Sequence, residues 1–144
     1  MISQTLEYAL RAIVTLAQHE DRPMVTAKIA ETTKMPPGYL YKVLQQLARG
    51  GLVQSQRGLK GGYILARSPA DISVLNVVDV MDPLKRIHTC PLELETHGSE
   101  LCALHRLLDN TMDTIERTFA ATTILDLLSD PERPYPLCRV QPQG

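Results

Sequence analysis

A mainly α chain carrying one short two-stranded hairpin is the fold class the sequence predicts, on three observations. Apolar residues recur at i, i+3, i+4 and i+7 in most of the chain. One helical run ends in Gly50-Gly51 and passes into two short strand candidates around a basic, glycine-rich turn. Late in the chain, Leu101, Leu104, Leu108, Met112, Ile115 and Phe119 form a stripe that is sustained over about five helical turns, or about 30 Å. Together these describe a winged helix-turn-helix with a two-stranded wing and a long rear helix that needs a partner surface.

The first predicted helix is Ile2–His19, with Leu6, Leu10, Ile13, Val14 and Ala17 on one stripe and Glu7 placed to pair with Arg11. Asp21-Arg22-Pro23 breaks it. Val25–Thr33 is the second helix, with Thr26 as its N-cap. Met35-Pro36-Pro37-Gly38 is a tight turn, because a residue preceding proline disfavours helix. The third helix, Gly38–Arg49, buries Leu40, Val43, Leu44 and Leu47 and leaves Tyr39, Tyr41, Lys42, Gln45, Gln46 and Arg49 largely outside. Strands are expected at Leu52–Gln56 and Tyr63–Ala66. Ser73 caps a helix over Val74–Met81, stopped by Asp82-Pro83. Residues 83–99 read as a loop, long enough to suggest a task of its own. Glu100–Phe119 is the long helix, and Thr122 or Thr123 caps a last one, Ile124–Leu128, with Asp126 in capping-box position. The organisation is then a head over residues 1–67, a sensor loop and dimerisation helices over 68–128, and a Pro-rich tail over 129–144.

Charge divides along the same line. Residues 1–67 hold nine Lys/Arg against four Asp/Glu, and residues 68–144 hold six against twelve. No acid lies between Glu31 and Asp71, a window that contains Lys34, Lys42, Arg49, Arg57, Lys60 and Arg67. A head of this kind faces a polyanion. The helix-turn-helix reading sends Gly38, Tyr39, Tyr41, Lys42 and Gln45 into the major groove of duplex DNA. Arg57, Lys60 and the Gly61-Gly62 backbone serve the wing. No apolar run is long enough to cross a bilayer, and the opening segment contains Glu7 at helical spacing, unlike a secretory signal. A cytoplasmic location is the expectation. Three cysteines argue against a disulfide framework.

Cys90, His97, Cys102 and His105 fall within sixteen residues. Cys102 and His105 are three apart, hence about 60° apart around a helix axis, and could close on one ion with Cys90 approaching from the loop. Thiolate and imidazole donors suit zinc or an iron–sulfur cluster. Inert buried thiols with surface histidines, or a redox disulfide between Cys90 and Cys102, account for the same residues. An enzyme using Cys102 or Cys90 as nucleophile and His105 or His97 as base is disfavoured, since no oxyanion-type loop accompanies them. Cys138 stands apart in the tail.

The phrases LEYALRAIVTLA, GYLYKVLQQLARGGLV, RGLKGGYILAR and TTILDLL resemble the Rrf-two family of bacterial regulators, which includes the IscR, NsrR and CymR types. The resemblance covers residues 1 to about 128, and the wing phrase with Tyr63 is its most specific part. It implies a winged-helix homodimer that binds palindromic operators and dimerises through the long helix. Many members hold an iron–sulfur cluster on three cysteines. Cys90 matches the first and Cys102 the third, while His105 matches a histidine ligand of the IscR type. The middle cysteine is absent, with His97 or Glu95 near its place. Glu7 stands at an acid position that some members supply from the partner chain. This donor set implies a 2Fe–2S centre rather than a 4Fe–4S one. A metal-free winged-helix regulator gated by a small ligand or protein partner is the alternative.

Overall fold

Helix α1 (Gln4–Ala17) is the hub. Ser3 accepts from the Leu6 N–H at 3.1 Å and so starts the helix two residues inside the predicted boundary. Leu6, Ala9, Ala12, Ile13 and Leu16 are buried, a stripe wide enough to pack against α2 (Thr26–Thr33), α3 (Pro37–Arg49), α4 (Val74–Met81), α6 (Ile124–Leu128) and the second strand. The computed structural model describes residues 2–97, 100–134 and 136, the side chain of His97 excepted. Cys138 and most of the tail lie outside the described residues.

Two strands, β1 (Val53–Gln56) and β2 (Gly62–Leu65), pair antiparallel with Val53 opposite Leu65 and Gln56 opposite Gly62. Met24 adds a one-residue bridge on the other edge of β2. Its N–H donates to the Tyr63 carbonyl at 2.9 Å and its carbonyl accepts from the Tyr63 N–H at 2.8 Å. This bridge corrects the cap of α2. The extended chain carries on to Val25, which occupies the N-cap with no side-chain bond, and Thr26 becomes the first helical residue. At its other end α2 stops on Lys34 in the left-handed region, φ 56°, and the Arg11 guanidinium donates to the Thr33 carbonyl at 3.1 Å. Pro37 then opens α3 at a position where a missing N–H costs nothing.

The rear half is built on two capping boxes. Ser73 and Asn76 close one on α4, and Thr123 and Asp126 close the other on α6. The two caps bridge each other, since the Val74 N–H donates to Thr122 and the Ile124 N–H to Ile72, each at 2.8 Å. Between them runs α5 (Ala103–Ala121), 19 residues with none buried. Phe119 alone of its apolar stripe packs partly on the core. Leu104 and Leu107 stay 60% and 63% exposed. A cleft of about 310 Å³ between α1 and α5 is lined by Ile2, Leu6, Leu84, Met112, Ile115 and Phe119. No helix among the described residues is long and apolar enough to cross a membrane.

Candidate nucleic-acid interface and the sensor pair

Helix α3 presents one polar face to solvent. Gly38, Tyr41, Lys42 and Arg49 are exposed and Gln45 is half-buried, all within one arc of the helix. Gln45 Nε2 donates to the Tyr41 hydroxyl at 3.0 Å, which holds both side chains side by side on that face. Tyr39 does not join them. Its hydroxyl is hydrogen-bonded to Thr5, and its ring stands edge-on to Tyr8 at 5.4 Å between centroids. Tyr39 is thus a strut between α3 and α1 rather than a largely exposed group. Gln46 is exposed as expected, and its amide also reaches across to the Val80 carbonyl at 3.1 Å.

The wing is a tight hairpin whose turn exposes Arg57 and Lys60. Its two adjacent glycines have packing duties. A Cβ on Gly61 would stand 2.4 Å from the Gln56 carbonyl oxygen, and one on Gly62 would stand 2.2 Å from that of Met24. Gly62 is therefore what lets β2 approach Met24, a demand the sequence showed only as flexibility.

Of the described thiol and imidazole groups, the structure brings two together. Cys102 is the N-cap of α5 and its Sγ lies 3.2 Å from His105 Nδ1, one turn on. Cys90, in the preceding loop, is 8% exposed, and both cysteines are free thiols. Among the described residues no three Cys, His, Asp or Glu side chains are grouped so as to hold a metal ion. Glu7 is engaged within its own helix, with Oε1 2.8 Å from Arg11 Nε, as the four-residue spacing led us to expect.

One constellation escaped the sequence reading. Arg86, in the segment after α4, grips three carboxylates on α5. Its Nε and Nη2 donate to the two Asp109 oxygens at 2.8 and 3.0 Å, and its Nη1 to Asp113 at 3.0 Å and Glu116 at 3.2 Å. The Ile87 N–H adds a bond to Asp109 at 2.8 Å. The Arg86 side chain and then the Ile87 amide hold the Asp109 carboxyl down at about 2. The available signal was the i, i+4, i+7 spacing of these acids along one helix face.

Comparison with known proteins agrees with this architecture. A family model described as Rrf2, iron-dependent transcriptional regulator, matches residues 2–130. An HTH-type transcriptional regulator of Aquifex aeolicus is 29% identical over 136 residues, covering 92% of this chain and 94% of its own. Among solved structures, CymR, the global cysteine regulator of B. subtilis, superposes with a TM-score of 0.75 at 27% identity, covering 88% of this chain and 95% of its own. IscR of T. potens gives 0.76 at 29% identity, with 90% and 87% covered. On the breadth of that match and on its fold, the chain belongs to the Rrf2 (Rrf-two) family and is a transcriptional regulator rather than an enzyme.

Proposed function

We propose that the protein is a cytoplasmic homodimer that binds palindromic duplex DNA. Its head, residues 1–67, reads the operator, and residues 68–128 join the two chains. The observation that carries this is the exposed face of α3, with Gly38, Tyr41, Lys42 and Gln45, followed directly by the Arg57/Lys60 wing in a stretch that contains no acid. On such a face Lys42 and Gln45 reach base edges, and Tyr41 meets a phosphate or a thymine methyl. Tyr39 sets the angle of the reading helix through Thr5 and Tyr8. Arg57 and Lys60 neutralise phosphates or enter the minor groove, and Gly61 and Gly62 shape the hairpin that presents them.

The dimer reading is supported by α5. The 19-residue helix has no buried residue; Leu104 and Leu108 of its stripe are exposed and Met112 and Ile115 only half-buried, and the α1–α5 cleft adds to that apolar surface. A second copy of the same helix covers both. Two-fold symmetry then spaces the half-sites about one helical turn or a small multiple apart. The test is selection from a random duplex library followed by titration across salt concentrations. Enrichment of a palindrome, bound by a dimer in sedimentation, is the expected result. A monomer indifferent to every duplex at low ionic strength overturns the reading.

For sensing, an iron–sulfur centre, 2Fe–2S by preference, would take Cys90, Cys102 and His105, with Glu7 of a second chain or His97 as fourth ligand. Among the described side chains no complete donor set forms: Cys102 and His105 meet without a third donor, and Glu7 is paired with Arg11. The same observation favours the second reading, a metal-free regulator gated by a small ligand or a protein partner. An absorption spectrum of protein purified without oxygen, with iron and sulfide assayed on the same sample, separates the two. A charge-transfer band with stoichiometric iron, lost in Cys102→Ala, supports the cluster. Colourless protein that still binds its operator supports the metal-free form.

A further inference from the structure

We infer that Leu59, at the tip of the wing, is an apolar wedge that enters the minor groove and parts a base step. The inference rests on the DNA-binding reading above and deepens it. Leu59 is 107% exposed, more than any other large apolar side chain among the described residues. A lone exposed leucine is ordinary on a protein surface, but the position of this one is not. It sits at the apex of the hairpin, two residues after Arg57 and directly before Lys60, and all three side chains are exposed.

The apex is built to hold that presentation. Gly58 lies at φ +110° and accepts from the Gly61 N–H at 2.9 Å. A Cβ on Gly61 would collide with the Gln56 and Gly58 carbonyl oxygens. The turn is closed by its own hydrogen bond, and the strand beneath it is anchored to Met24 through Tyr63. A rigid stem with a cation on either side and an aliphatic group between them matches what a minor groove offers: phosphate walls about 6 Å apart with stacked, apolar bases between. A leucine contributes nothing to phosphate attraction, so its gain comes from leaving water against base faces. That gain is largest where unstacking is easiest, at pyrimidine–purine steps such as TA or CA.

The experiment uses the full-length protein and the palindromic duplex it selects from a random library, with 2-aminopurine placed in turn at each step under the wing and donor and acceptor dyes at the duplex ends. Wild-type protein is expected to raise 2-aminopurine fluorescence at one step, shorten the end-to-end distance, and prefer TA or CA there. Leu59→Ala should lose the fluorescence rise and the bend and bind about tenfold more weakly. Its salt slope should stay unchanged, and so should its melting temperature, because the side chain touches no core. Leu59→Met should restore bend and fluorescence. If Leu59→Ala binds and bends like wild type, or binds more weakly with no bend or unstacking in either protein, the wedge is overturned while the DNA-binding reading stands. If no duplex is selected or bound even at low salt, both fall together.

Discussion

Helix α3 sinks Leu40, Val43, Leu44 and Leu47 into a core shared with α1, whereas α5, the longer helix, buries none of its residues. Both carry an apolar stripe of helical period. The front stripe is met by α1, α2 and α4 of the same chain. The rear one is met mainly by α4, and is held in place by the Arg86 clamp and by Phe119 at its end. Amphipathicity alone therefore does not tell a finished core from a surface that awaits its cover. The head packs its stripe within one chain, and the rear helix leaves much of its own uncovered, which is the basis of the dimer proposed above.

This contrast can be broken at the front first. Leu44→Ala removes a fully buried side chain from the head and should cost about 2–5 kcal/mol in denaturant unfolding. A loss below about 1 kcal/mol would mean the head is not the tightly packed half. At the rear, Leu108→Glu should weaken self-association by about 100-fold, because it buries an unpaired carboxylate in an apolar contact. Thermal stability of the head should hardly move, since Leu108 is already 42% exposed. Sedimentation reads the first effect and calorimetry the second. Equal losses in both would make α5 part of one folding unit with the head.

Arg57→Ala sharpens the comparison at the wing. Removing one phosphate contact per chain should lower the slope of log affinity against log salt by about 0.9 for each site, with no change in the fold because Arg57 is exposed. An unaltered slope places the wing away from the phosphates. The smallest effect belongs to the clamp. Asp109 is held down to about 2 from the ordinary 3.8. A depressed carboxyl stabilises docking fully above the ordinary value and ceases to do so as pH falls through the lowered one. The Arg86 segment should accordingly loosen from α5 between about pH 3.8 and 2. The Ile87 amide resonance reports it, and a resonance that stays constant across that window would contradict the clamp.

How far the sequence could be read depended on the range of the interactions involved. The bounds of α4 and α6 follow from their capping boxes, which act over three residues and are visible as Ser73…Asn76 and Thr123…Asp126. The wing strands fall within a residue of their predicted bounds, whereas the bridge from Met24 to Tyr63, nearly forty positions apart, had no local signal. Tyr39 has the polarity of an outward residue, and only the approach of α1 turned it into a strut, while Gln46 stays exposed and adds a tie to α4. The Cys/His set shows the same limit. Three residues on one helix brought Cys102 to His105, while no local rule could say whether Cys90 joins them.

By itself, then, the order of residues determined the elements that short-range chemistry controls: helix periods, caps, the glycine-rich wing, and a basic front set against an acidic rear. Tertiary structure decided which polar side chains remain free to meet a ligand and which become internal ties. It also left much of the α5 stripe uncovered, while Arg86 clamps the helix by its acidic face. The reason is that periodicity fixes the direction a side chain takes from its own helix, while the group it meets there comes from a distant part of the chain.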